Sequence, residues 1–146
     1  MPPEWAYFDT SALVKRYISE PGSLQVRALF RRHAFLSSAI VNPELLSAFS
    51  RRRRLGELSD AHFETLLGRM QSDKPRWELI EVSWAVLDSA ERLIQGTVAI
   101  RTLDAIHVAS LITFKNTAGG EIPFVTADAR QRDTARQIGL NVIWIG

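Results

Sequence analysis

Four acidic residues, Asp9, Glu44, Asp104 and Asp128, stand where their types and surroundings can do chemistry together. Asp9 closes the apolar run Trp5-Ala6-Tyr7-Phe8, and Asp104 lies inside Leu103-Asp104-Ala105-Ile106. An unpaired charge in such surroundings is costly, so each needs compensation. Carboxylates that converge repel one another and raise one another's pKa. They remain ionised together only if a cation compensates. Hard oxygen ligands favour Mg2+ or Mn2+ over zinc, and with no Cys and only three His no softer ligand cluster competes. Such an ion lowers the pKa of a bound water and neutralises phosphate charge during in-line attack, and two ions about 3.5–4 Å apart can divide those tasks. Taken singly, each acid has a plainer reading. Asp9, Asp104 and Asp128 can be helix-start residues stabilised by the dipole, and Glu44 a first-turn acid.

The elements needed to gather these acids are legible as apolar runs of strand length alternating with longer amphipathic stretches. Strands are expected at Trp5–Phe8, Phe35–Ser38, Trp77–Val82, Pro123–Thr126 and Asn141–Ile145. Helices are expected over 12–18, with Thr10 or Ser11 as cap, and over 24–33. A third helix starts from an Asn42 cap with Pro43 at the first helical position and runs to about Arg54. Further helices follow Ser59 to about Gln71, Ser83 over 84–94, Thr102 over 103–114, and Asp128 up to Gly139. This order implies an α/β fold, a parallel sheet with right-handed crossovers and helices on both faces, in one domain spanning 1–146. Ligands of such sheets bind beyond the carboxyl ends of the strands. Asp9 and Asp128 fall there directly. Glu44 and Asp104 sit near the starts of helices that face the same rim, so all four can converge on one cleft.

Composition narrows the class. The 146 residues are 46% hydrophobic and 23% charged, the balance of an ordinary soluble globular protein. The absence of cysteine excludes disulfides, Cys-ligated zinc and thiol catalysis, and it suits a cytoplasmic location. No apolar run approaches the roughly 20 residues needed to cross a bilayer, and the first residues lack the pattern of a signal peptide. Net charge is only +2, but setting the four acids aside leaves 18 basic against 12 acidic side chains. Fifteen of the basic residues are Arg, whose planar fork grips phosphate oxygens, although a general Arg bias explains the count as well.

Four segments carry a family resemblance. They are Phe8-Asp9-Thr10-Ser11-Ala12-Leu13-Val14-Lys15, Asn42-Pro43-Glu44-Leu45-Leu46-Ser47-Ala48-Phe49, Arg101-Thr102-Leu103-Asp104-Ala105-Ile106-His107-Val108-Ala109 and Phe124-Val125-Thr126-Ala127-Asp128. In order and spacing the chain resembles the PIN-domain ribonucleases, specifically VapC-type toxins of type II toxin–antitoxin systems. The resemblance implies a PIN-like α/β domain and Mg2+- or Mn2+-dependent endoribonuclease activity. The products it implies bear a 5′-phosphate and a 3′-hydroxyl. It implies RNA as substrate and a cognate VapB-like antitoxin as partner, in a homodimer or a toxin–antitoxin hetero-oligomer, with no membrane attachment. Carried over by position, Asp9, Glu44, Asp104 and Asp128 are the catalytic, metal-binding quartet, with Asp9 and Asp104 the principal ligands and Asp128 the most variable member. Thr10 or Ser11, and Thr126, match supporting hydroxyls.

Other features compete for attention. His107 lies one helical turn beyond Asp104 and can hydrogen-bond near the site, although a satisfied structural histidine is the default. Arg51 to Arg54 form a run at a helix end, where the dipole favours cations whether or not RNA is near. Trp77 and Trp84 read as core rather than base-stacking platforms. Leu45, Leu46, Phe49, Phe63, Leu66, Leu67 and Met70 read chiefly as core, with some surface left for an antitoxin helix or a dimer contact. The alternative function is a non-catalytic RNA-binding or protein-interaction module on the same fold. A haloacid-dehalogenase-like phosphatase needs a second Asp where Ser11 stands. A nucleotide-binding fold needs a Gly-rich loop that Asp9-Thr10-Ser11 does not offer. A receiver domain needs an Asp at the end of its central strand and a later Lys, and neither is evident.

Overall fold

The computed structural model describes residues 4–146. Its elements run β1 (Trp5–Phe8), α1 (Thr10–Tyr17), α2 (Ser23–Arg32), β2 (Ala34–Ser38), α3 (Val41–Arg54) and α4 (Asp60–Asp73). A 3-10 turn (Lys74–Arg76) then leads to β3 (Glu78–Ile80), α5 (Trp84–Gln95), α6 (Thr102–Ala118), β4 (Phe124–Thr126), α7 (Ala129–Gln137) and β5 (Val142–Trp144). The five strands form one parallel sheet in the order β3-β2-β1-β4-β5. The α/β architecture expected from the alternation is the one observed.

Strand order decides where the helices lie. From β1 the chain steps outward through β2 to β3, then returns to the other side of β1 and steps outward again to β5. Right-handed crossovers therefore put α1 to α4 on one face and α5 to α7 on the other. Burial follows this division. Ala6 and Phe8 of β1 join a cluster with Leu13, Val26, Leu45, Phe49, Leu66 and Met70. Tyr7, between them in sequence, points the other way and packs with Leu36, Val108, Leu111 and Phe124. This is the two-residue alternation of a strand covered on both faces. Helix α6 is buried continuously from Ala105 to Leu111, so its apolar residues do not fall on a single stripe. It carries Asp104 and His107 into the molecule.

Several helix starts differ from the sequence expectation. Asp9 itself caps α1, its carboxylate accepting from Ala12 N–H, so neither Thr10 nor Ser11 is the cap. Helix α3 begins at Val41 from an Ile40 cap, because Ile40 is already helical and its carbonyl accepts from Glu44 N–H. Asn42 is therefore inside the first turn, and Pro43 is tolerated there because a first-turn N–H has no helical partner to lose. Helix α6 starts at Thr102, with Arg101 at the cap and no side-chain capping bond. Ser59 and Ser83 do cap α4 and α5. Trp77 packs against Phe35 as core, but Trp84 is 81% exposed on the first turn of α5, contrary to expectation. The α3–α4 apolar residues are mostly core: Leu45, Phe49, Phe63, Leu66 and Met70 are buried, and Leu46 and Leu67 pack partly buried against them. In the arginine run, Arg52 pairs with Glu20 at 2.7 Å and Arg53 lies over the Phe63 ring. No helix among the described residues is long and apolar enough to cross a membrane.

Phe49 is fully buried and meets the Tyr17 ring edge-on, joining α3 to α1. Phe49→Ala leaves a cavity there and is expected to cost about 3–5 kcal/mol of unfolding free energy, read from urea denaturation.

Candidate active site

The sheet reverses its winding between β1 and β4, and at such a switch point the strand ends open a crevice. Phe8 pairs with Val125 across it, and Asp9 N–H donates to the Val125 carbonyl at 3.1 Å. Asp9 thus leaves β1 directly at the crevice, only 3% exposed. Three donors hold its carboxylate. Ser11 Oγ and Ala12 N–H donate to Oδ1 at 2.6 and 3.0 Å, and Thr126 Oγ1 donates to Oδ2 at 2.5 Å. The hydroxyls are held in turn, since Ser11 Oγ accepts from Ala127 N–H and Thr126 Oγ1 from Asp128 N–H. Burial pushes the Asp9 carboxyl above its ordinary value, while the charge of His107 and these donors pull the other way.

Glu44, in the first turn of α3, is held by a second network. Thr10 Oγ1 donates to its Oε1 at 2.8 Å, and His107 Nε2 lies 2.6 Å from the same oxygen. His107 is 2% exposed, and its Nδ1 lies 2.7 Å from the Tyr7 hydroxyl. Both ring nitrogens are thus engaged, Nε2 by Glu44 and Nδ1 by the Tyr7 hydroxyl. Burial alone would raise the Glu44 carboxyl. The hydrogen bond and charge of His107, with the Thr10 hydroxyl, outweigh it and hold the group below its usual range.

Asp104, in the first turn of α6, is half-buried. Burial and the charge of Asp128 push its carboxyl up and Glu44 adds to the push, against His107 and Arg101. Asp128 caps α7, its Oδ1 accepting from Arg130 N–H at 2.8 Å and Gln131 N–H at 3.3 Å. Beside Asp104 lies a cleft of about 470 Å³ lined by Ile100, Arg101, Arg130, Gln131 and Thr134.

All four acids therefore reach the carboxyl end of the sheet. The plainer reading of these acids is observed as well, since Asp9 and Asp128 cap α1 and α7, and Glu44 and Asp104 lie in the first turns of α3 and α6. The convergence is looser than the sequence suggested. Among the described residues, no three acidic or histidine side chains stand together as a ready-made metal-ligand group. Glu44 is drawn toward His107, and one oxygen of Asp128 is engaged by its own helix. The donor chemistry nevertheless fits a hard cation, because Asp128 and Glu44 raise the cost of the Asp104 charge and all three offer only oxygen. Tyr7 and His107 are the residues that sequence reasoning did not place in the site. The one signal for them was the spacing of His107 from Asp104.

The raised Asp104 carboxyl has a consequence for stability. Its folded pKa lies above the unfolded one, so its contribution is greatest in acid and is lost as pH rises through the folded value. In EDTA, Asp104→Asn should melt above the wild type at neutral pH, with the difference closing below the ordinary Asp pKa of about 3.9. Thermal melts across pH check this.

The PIN domain family profile matches residues 6–137. Ribonuclease VapC46 of Mycobacterium tuberculosis is 33% identical over 142 residues, covering 94% of this chain and 95% of that protein. Ribonuclease VapC47 of the same species is 28% identical over 138 residues, covering 91% of each. Among solved structures, VapBC2 from Rickettsia felis bound to a DNA fragment from its promoter shares the fold, with a TM-score of 0.66, 18% identity, and 97% and 98% coverage. A profile that spans nearly the whole chain, with a relative this similar over the same length, makes the chain a member of the PIN-domain family of the VapC ribonuclease type.

Proposed function

We propose that the protein is a Mg2+- or Mn2+-dependent endoribonuclease acting as the toxin of a toxin–antitoxin pair. The observation that carries this reading is the buried Asp9 carboxylate, oriented by Ser11, Ala12 and Thr126 at the β1–β4 crevice, with Glu44, Asp104 and Asp128 at the same sheet end. Asp9 and Asp104 would be the principal metal ligands, with Glu44 and Asp128 contributing directly or through water. When bound, the metal supplies an acidified water and neutralises phosphate charge.

The chain's own residues do the rest. Ser11 and Thr126 fix the direction of the Asp9 oxygens, so little reorganisation is left for the moment of reaction. Thr10 and His107 hold Glu44 ionised, and Tyr7 holds His107. Arg101 and Arg130, flanking the cleft beside Asp104, suit the phosphates of an RNA strand. Attack by water on phosphorus leaves a 5′-phosphate and a 3′-hydroxyl. Support for an antitoxin partner comes from the VapC relatives and the VapBC2 fold neighbour.

Asp9→Asn and Asp104→Asn should each abolish cleavage of total RNA while the far-UV circular dichroism is kept. EDTA should do the same to the wild type, with recovery on adding Mg2+ or Mn2+. Undiminished cleavage by either variant, or in EDTA, refutes the metal-dependent reading. Thr126→Val removes only the orienting hydroxyl and should lower activity by roughly 10–100-fold.

A further inference from the structure

A cavity at the other end of the sheet gathers positive charge away from the acids. It has a volume of about 490 Å³ and is lined by Arg16, Arg27, Arg31, Arg76 and His33, with Asp73 the one carboxylate. Its apolar wall is Phe30, Phe35 and Trp77. Ala34 at the start of β2 and Trp77 just before β3 also line it, whereas the acids follow strand ends, so the parallel strands separate the two places.

Asp73 is fully occupied. It accepts from Tyr17 Oη at 2.6 Å and from Arg76 at 2.7 Å, and it lies 3.4 Å from Arg16 Nε. That last approach is an ion pair without hydrogen-bond alignment, and Arg16 Nε is buried with no partner. His33 Nδ1 is likewise buried and unpartnered. Arg27 and Arg31 make no ion pair among the described residues, although they stand one turn apart on the same face of α2. Like charges at that spacing repel, and the dipole at the C-terminus of α2 offsets the cost only for Arg31. A bound dianion shared by the two forks would remove the repulsion. The adjoining aromatic wall is continuous: Phe30 and Phe35 stack with centroids 5.3 Å apart, and Trp77 lies 4.9 Å from Phe35 and is only partly buried. Adjacent phosphate-gripping forks and a partly open indole are the two halves of nucleotide recognition. The volume is that of a small-molecule pocket.

We propose that this cavity binds a nucleotide, its phosphate held by Arg27 and Arg31 and its base laid against Trp77. The assignment is independent of cleavage at the acidic site. The ligand is either a free nucleoside monophosphate or one nucleotide of an RNA strand.

Calorimetric titration of the wild-type protein in EDTA tests it, since metal-dependent phosphate binding at the acids is then silent. The probes are AMP, adenosine, inorganic phosphate and a short oligoribonucleotide. AMP is expected to bind in 1:1 ratio and at least tenfold more tightly than adenosine or inorganic phosphate, with a free nucleotide then the ligand. Binding of the oligoribonucleotide alone would identify an RNA strand instead. In either case Arg27→Ala/Arg31→Ala should weaken binding at least tenfold with the melting temperature kept, and Trp77→Phe should weaken it less. Failure of both AMP and the oligoribonucleotide to bind overturns the proposal. So does binding that the double variant leaves unchanged, or affinity for inorganic phosphate equal to that for AMP.

Discussion

The structure depends on the burial of one carboxylate. Asp9 is almost without solvent, yet it is the residue on which β1, α1 and β4 meet. Its backbone N–H belongs to the sheet, its Oδ1 starts a helix and its Oδ2 binds the neighbouring strand through Thr126. Desolvating such a group is tolerable because three donors replace the lost water. The same donors leave little freedom for the oxygens to turn, so stabilising the fold and orienting the site are one arrangement here.

The second network works across the sheet. Tyr7 and Phe8 are adjacent in β1 but face opposite sides, so β1 contributes to both cores. Through Tyr7 the strand reaches His107 on α6, and through His107 it reaches Glu44 on α3. Helices from opposite faces are thereby fixed against each other at the rim. Asp104 has no such support. Its carboxyl is pushed up by burial and by Asp128, a cost of the kind that clusters at functional sites.

Charge is distributed very unevenly for a protein of net +2. Asp9, Glu44, Asp104 and Asp128 lie toward the carboxyl ends of the strands, with Arg101 and Arg130 beside Asp104, and Arg16, Arg27, Arg31 and Arg76 line the cavity with Asp73 toward the amino ends. The Arg51–Arg54 run, the most conspicuous basic feature of the sequence, is partly absorbed by local contacts with Glu20 and Phe63. The basic cavity, in contrast, is assembled from α1, α2, the 3-10 turn and the segments beside them, with no run to announce it.

Sequence alone determined the strand–helix alternation, the parallel sheet and the placement of Asp9 and Asp128 at strand ends. These follow from local periodicity and from chain stereochemistry, which act over a few residues and leave a readable pattern. It also singled out Asp104, because a charge inside an apolar helix start is anomalous wherever it occurs. Helix starts at Ile40 and Arg101 escaped it because no side chain caps them, and residue type then carries no signal. Trp84 escaped it because an aromatic type does not report which way a helix turns its first residue. Only the tertiary structure decided that Asp9 is held by Thr126, 117 residues away, and Glu44 by His107, 63 away. Only it showed the four acids sharing a rim without forming a tight cluster. Such contacts depend on strand order and helix facing, which the whole core selects and no local stretch of sequence encodes.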